Sequence, residues 1–503
     1  YRSWAVVFRG LLNILLMKTL CLGNNHSHTA EMTSALGLNH GLITDASIEL
    51  QDGYYHTTVV TLSPSEILDL AKRFDSVIVL DQPVELWNHP TEFHHTHEVA
   101  LQIGNKVSWQ NPIGKDQLQY WKNLVTNNKS FCIFPFIELL TTNGHTTVCC
   151  RSETPIVDIN KLENFSTDDA YQKIRQSMID GKPLPKHCTA CYEIEDNGIQ
   201  SARQEETVEW ALKLNLTSID NLKTITDPVY YEVRPSNRCN LMCRMCGPKY
   251  SSLIEREQKD LGLIPEEYTE SFSDFDIVQI KNVIKLYVAG GEPTAMPEFY
   301  KFLKKCIDQK HTDFEFQVNT NAVKVSTLLL ELGKSFSNLA YTVSIDGYKL
   351  ANDYTRWRSQ WDPMIENVKK LQQNGHTITF NTTLSLYTIF DYADLIGFLD
   401  QEFPGCLIHG QFARNIWPFV FTYSSEQISK LESIKHTNIY KNNTLFKSFV
   451  DGVINLAKSS KLDPRKLREF FRSNDRLDAS RNSCLNNYIP ELENLRHLIG
   501  EGY

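Results

Sequence analysis

Three cysteines fall within eight residues, Cys239-Asn240-Leu241-Met242-Cys243-Arg244-Met245-Cys246, shortly after the stretch Tyr230–Arg234. That stretch reads as a strand, so the cysteines sit in the loop leaving it. Three thiolates at Cys-x3-Cys-x2-Cys spacing can hold three irons of a cubane [4Fe–4S] cluster and leave the fourth iron without a protein ligand. An open coordination position is the arrangement of a site that binds substrate, whereas a closed one holds structure. Zinc would want a fourth ligand nearby, and the flanking residues 234–250 contain no His.

Composition limits the frame around this loop. The chain has 503 residues, which at roughly 100 to 200 residues per domain predicts two to four domains. Hydrophobic content of 41% and charged content of 22% exclude collagen-like and disordered classes. A net charge of −9 argues against a broad electrostatic grip on nucleic acid or an anionic membrane. Twelve Cys are too dilute for a disulfide scaffold, yet eight lie between Cys132 and Cys246.

Upstream, Arg2 and Arg9 precede the apolar run 11–16, too short to span a membrane. Residues 1–16 read as upstream or non-native sequence, with Met17 the expected start. Residues 17–110 are expected to form a small α/β domain. Its strands are 19–22, 54–62 and 76–80, and its helix 66–74 is opened by Ser63-Pro64-Ser65-Glu66. Two histidine groups fall there, His26-Ser27-His28 and His94-His95-Thr96-His97-Glu98, and both read chiefly as solvated or structural.

Residues 111–225 hold Cys132, Cys149-Cys150 and Cys188-Thr189-Ala190-Cys191. Phe131–Leu140 and Thr146–Cys149 flank Asn143-Gly144, a two-residue hairpin turn. The hairpin brings Cys132 near the Cys149/Cys150 pair, and Cys188–Cys191 reads as a tight loop. Together they form a four-thiolate site. Neighbours on a strand face opposite ways, so one of Cys149 and Cys150 faces it, and Cys149 is favoured. Zinc and an iron–sulfur cluster both take four thiolates, and the segment fits either.

After the three-cysteine loop, strands are expected at 284–289, 314–318, 339–344, 377–384 and 407–412. Helices are expected at 298–310, 326–333 and 363–373. Repeated strand–helix units predict a parallel sheet in a partial (β/α) barrel over 226–415, with ligands at the carboxyl ends of its strands. Gly290-Gly291-Glu292, Asn319-Thr320-Asn321 and Ser344-Ile345-Asp346-Gly347 all fall at that end. Residues 416–503 read as a helical tail, with Ile428, Leu431 and Ile434, then Phe446, Phe449, Val450 and Val453 at helical spacing.

The loop and these strand-end segments resemble the radical SAM superfamily. The cysteine-rich middle, continuing to Ser201-x-Arg203, resembles the twitch or SPASM type of auxiliary-cluster module, here preceding the core. The resemblance implies that Cys239, Cys243 and Cys246 ligate a [4Fe–4S] cluster whose fourth iron chelates S-adenosylmethionine. Reductive cleavage then yields a 5′-deoxyadenosyl radical that abstracts hydrogen from a substrate. It implies that Gly290, Gly291 and Glu292 meet the methionyl amino group, Ser344 and Asp346 the ribose hydroxyls, and Arg356 the methionyl carboxylate. It implies an auxiliary Fe–S cluster on Cys132, Cys149, Cys188 and Cys191. A flavodoxin- or ferredoxin-like electron donor, a reducing cytoplasm and a peptide, protein or small-molecule substrate are the expected surroundings, with no nucleic acid and no membrane. The rival readings are a structural zinc protein and a chain that binds S-adenosylmethionine without turnover.

Overall fold

The computed structural model describes residues 112–500, apart from 143, 153, 197–200, 271, 273, 414 and 415, and upstream only the backbone of five strands. Residues 1–16, both histidine groups and the helix expected over 66–74 lie outside the described residues. The five strands are β1 (Lys18–Gly23), β2 (His40–Leu42), β3 (Gly53–Thr58), β4 (Ser76–Val79) and β5 (Val107–Trp109). They pair in parallel in the order β2-β3-β1-β4-β5.

The chain divides into two compact units. One comprises residues 1–137, 148–156 and 163–227, and the other comprises 138–147, 157–162 and 228–503. In the first, four helices carry the cysteine-rich segment: α1 (Pro112–Asn127), α2 (Asp169–Ile179), α3 (Pro185–Asp196) and α4 (Ala202–Lys213). Their starts are chemically marked. The Asp168 carboxylate accepts from the Ala170 and Tyr171 amides, and Ser201 with Gln204 forms a capping box on α4. Trp121 of α1 is fully buried and donates Nε1–H to the Leu216 carbonyl at 2.7 Å, so its polar edge is satisfied inside the core.

The second unit is built on an eight-stranded sheet, with β6 (Glu138–Thr142), β7 (His145–Thr147), β8 (Tyr230–Val233), β9 (Lys285–Val288), β10 (Glu315–Thr320), β11 (Leu339–Ser344), β12 (Thr377–Leu384) and β13 (Leu407–Phe412). The order is β13-β12-β11-β10-β9-β8-β6-β7, parallel throughout except for β6–β7. The turn at Gly144, with φ +70°, joins β6 to β7 as the hairpin reading requires. The hairpin is shorter than expected, because Phe134–Ile137 forms a helical turn instead of a strand. Pro135 has no N–H to give a ladder there. β6 pairs with β8, so this hairpin extends the large sheet.

The sheet's two faces differ in chemistry. Leu286, Val288, Phe316, Val318, Tyr341, Val343 and Phe380 are buried. They pack under α6 (Pro297–Asp308), α7 (Thr327–Gly333), α9 (Trp361–Gln373) and α10 (Tyr392–Glu402), numbered after α5 (Ser252–Asp260) and α8 (Leu350–Thr355). Phe316 alone meets the rings of Phe299, Phe302 and Phe336. The alternate residues are polar and half-buried, among them Lys285, Gln317, Asn319, Ser344, Asn381 and Thr383. On that face the Lys285 charge joins burial in lowering the pKa of His409 on β13. The parallel strands β8 to β13, alternating with helices, are the arrangement of a partial (β/α) barrel.

The C-terminal region is helical. In α11 (Thr444–Ser459) the residues Phe446, Val450 and Val453 are buried, as are Leu431 and Ile434 before it. α12 (Pro464–Arg481) follows, capped by Asp463. No described helix is long and apolar enough to cross a membrane.

Candidate functional site

The three-cysteine loop leaves β8 at its carboxyl end and is anchored from two sides. From the strand ends, the Gly291 amide donates to Ser236 O at 2.9 Å and the Glu292 amide to Arg238 O at 2.8 Å. A Cβ at Gly291 would lie 2.1 Å from the Arg238 carbonyl oxygen, and one at Gly290 (φ +112°) 2.8 Å from that of Ser236. The two glycines therefore let the turn after β9 seat directly on the cysteine loop. From the other side, Met242 N donates to Trp357 O at 3.0 Å and Arg244 N to Thr355 O at 2.7 Å.

The remaining strand-end residues converge on the same place. Glu292 is buried, and its carboxylate accepts from Thr294 N, Thr294 Oγ1, Thr320 Oγ1 and Asn321 N. It thereby locks the turn after β9 to the end of β10. Asp346 accepts from Arg356 Nη1 at 2.7 Å and from Thr383 N at 2.8 Å, so two residues expected to bind separate parts of one ligand form a buried ion pair. Each Asp346 oxygen keeps a further lone pair. Ser344 donates to Asn319 Oδ1 at 3.3 Å. Arg356 Nε is buried and has no partner.

Electrostatics around the thiols follow from this packing. Burial raises all three, Cys239 to about 12, while Arg356 opposes the shift at each of them. Asp346 pushes Cys243 up, and Arg481 opposes it. The metal-free thiols therefore hold their protons at neutral pH, and a cationic centre has to offset the charge of the thiolates. Among the described residues no three His, Cys, Asp or Glu side chains converge on a single metal ion. The donor set fits a cluster, and the unpartnered Arg356 nitrogen fits an anionic ligand beside it.

The first unit holds the other cysteines. Cys132, Cys149, Cys188 and Cys191 line one small cavity with Phe134, Met178 and His187, while Cys150 is exposed. Cys188 and Cys191 lie on α3, not in a loop. A spacing of three puts both thiols on one helix face, so the helix achieves what the loop was expected to do. Burial and then the Cys149 charge raise Cys132, and burial lifts Cys188 to about 11. Beneath the cavity, Arg203 is 2% exposed. It pairs with Glu195 at 2.6 and 2.9 Å and donates to Phe131 O at 2.7 Å, fixing the residue before Cys132.

Several residues escaped the sequence reading. The carbonyls of Tyr354, Thr355 and Trp357 all support the cysteine loop around Arg356. Arg244, Asp478 and Arg481 are buried partners in that support. Asn474, Asp478 and Arg481 recur at i, i+4 and i+7 on α12, and polar residues on the buried stripe of a tail helix were the available signal. His187 Nδ1, buried without a partner in the four-cysteine cavity, carried no signal beyond its adjacency to Cys188.

Residues 233–399 match the radical SAM superfamily model. No curated protein matches the chain. Similar solved structures include native anSMEcpe with bound AdoMet, at 15% identity over 47% of this chain and 63% of that one, TM-score 0.31. Another is Streptococcus suis SuiB bound to precursor peptide SuiA, at 15% identity over 64% of each chain, TM-score 0.30. The chain thus spans less than two thirds of either of these. The matched segment begins on β8 and takes in the cysteine loop, the glycine turn and Arg356, so residues 233–399 carry a radical SAM domain.

Proposed function

We propose that Cys239, Cys243 and Cys246 hold a [4Fe–4S] cluster and that the adjoining strand ends hold S-adenosylmethionine. The observation that carries this reading is the convergence of three half-buried cysteines with Arg356, whose Nε has no partner, at the carboxyl ends of parallel strands. When bound, the pair supplies methionine and a 5′-deoxyadenosyl radical that abstracts a substrate hydrogen. The chain's residues do the rest. Arg356 offers a buried cation to the methionyl carboxylate. The Gly290-Gly291 backbone, held in place by Glu292, faces the amino group. Ser344 and the free lone pairs of Asp346 receive the ribose hydroxyls. The curled sheet shields the site from water.

The same reading gives the four-cysteine cavity an auxiliary Fe–S cluster and the chain a cytoplasmic setting with a flavodoxin- or ferredoxin-like donor. It divides the chain into a small domain (17–110), an auxiliary module (111–225), a core (226–415) and a tail (416–503). The half-buried amides and hydroxyls on the concave face suit a hydrogen-bonding substrate, with a peptide or protein favoured over a small molecule.

Anaerobic purification followed by dithionite and S-adenosylmethionine tests the proposal. The expected result is a brown protein that forms 5′-deoxyadenosine, with the product lost in Cys243→Ala. A colourless protein with stoichiometric zinc, or an iron-loaded one that never forms 5′-deoxyadenosine, overturns it.

A further inference from the structure

The tail helix α12 reaches into the cysteine loop with charge. Arg244, between Cys243 and Cys246, has its side chain fully buried. Its Nη2 donates to Asp478 at 2.6 Å and to Ser483 Oγ at 2.9 Å, its Nη1 to Asn474 at 3.1 Å and its Nε to Tyr354 O at 3.0 Å. The guanidinium also lies over the Tyr354 ring, 3.6 Å from its centroid. Arg481 donates Nη1–H to the carbonyl of Met242, the residue before Cys243, at 2.8 Å. Its other nitrogens make a two-pronged pair with Glu257 of α5 at 2.9 and 2.7 Å, and both side chains are under 10% exposed.

This is more than a clamp made of neutral groups. A loop can be held by apolar packing, yet here two guanidinium groups and two carboxylates are buried beside the metal-binding thiols. Burying them is costly unless each is paired, so the arrangement fixes the loop tightly and fixes a charge pattern with it. Arg481 stands one peptide unit from Cys243, with Glu257 behind it. A cation at that distance favours the more negative, reduced form of a buried cluster, and a carboxylate disfavours it.

We infer that α12 is part of the cluster site: Arg481 and Glu257, with Arg244 and Asp478, are positioning residues that hold the three-cysteine loop and set the cluster's reduction potential. The inference rests on the cluster assignment proposed above. Its test is EPR-monitored potentiometry of the full-length, anaerobically reconstituted protein, a readout independent of turnover. Arg481→Gln is expected to move the midpoint to lower potential, Glu257→Gln to higher potential, and Arg481→Lys to stay near the unsubstituted protein. Opposite shifts from the two ends of one ion pair are what a charge effect produces. A purely structural prop would, when removed, move both the same way or release iron without moving either. Such same-direction or absent shifts overturn the inference. If Arg481→Gln does not fold, Arg244→Gln takes its place beside Glu257→Gln, and the two must still move the potential in opposite directions, the first down and the second up. Failure of the unsubstituted protein to show a reducible [4Fe–4S] signal is a different result, which rejects the cluster assignment itself.

Discussion

Gly291→Ala puts one methyl group where the structure has no space. The new Cβ would lie 2.1 Å from Arg238 O, 2.6 Å from Arg238 C and 2.7 Å from Asn237 C, against an ordinary contact of at least 3.4 Å. The turn after β9 and the start of the cysteine loop must separate by about 1.3 Å to restore contact. All three atoms are backbone, so no side chain can rotate away. The separation also strains the bonds Gly291 N–Ser236 O and Glu292 N–Arg238 O. Overpacking costs about 1 to 3 kcal/mol, and with backbone on both sides about 3 kcal/mol is the expected loss. At about 2 °C per kcal/mol for a unit this large, Tm falls by roughly 6 °C. Because Arg238 adjoins Cys239, iron retention and 5′-deoxyadenosine formation fall as well. Gly247→Ala is the control, one residue beyond Cys246 with nothing within 4 Å of its Cβ position. Thermal melting and iron content of both variants decide the matter. A Gly291→Ala protein matching Gly247→Ala in both would refute the argument that the two loops are seated through this glycine.

Arg203→Gln takes the cation from half-buried Glu195, which keeps only the Ser201 hydroxyl, and removes the donor to Phe131 O, so a loss of about 3 kcal/mol is expected in a chemical denaturation of the full chain. Cys149→Ala lowers iron content while Cys150→Ala leaves it unchanged, because only Cys149 lines the cavity with the other three thiols; iron per chain under anaerobic reconstitution checks this. In the metal-free protein, Cys188 keeps its proton until about pH 11, whereas an unfolded thiol loses it near the ordinary value of 9.0. The folded state therefore binds more protons between those values, and stability falls as pH rises through that window, a trend that melting curves from about pH 8 to about pH 11 will show.

Much of the second unit was legible because its signals are local. Strands such as 339–344 and 377–384 are dense in β-branched and aromatic residues, and the helices between them carry apolar residues at a spacing near 3.6. The cysteine loop was legible because thiolate chemistry is carried by spacing. Cys188–Cys191 shows the limit of that kind of reading. Two cysteines three apart suit a tight loop or one face of a helix, and the chain chose the helix through the whole of Pro185–Asp196. Phe134–Ile137 was misread as strand because its apolar run has no alternation to distinguish the two.

The sequence by itself determined which thiols gather, which strand ends carry polar turns and that a parallel sheet brings those ends together. Only the tertiary structure decided how the polar groups pair. Asp346 faces Arg356, Glu292 turns inward to four donors, and Arg244 finds Asp478 from 234 residues away. Such pairings carry no local periodicity, because burial selects a partner by position in space and a buried charge is tolerated only where that partner arrives. The helical tail shows the difference most plainly: its apolar stripe could be read from spacing, but its polar contacts with the cysteine loop could be read only after folding placed Asn474, Asp478 and Arg481 there.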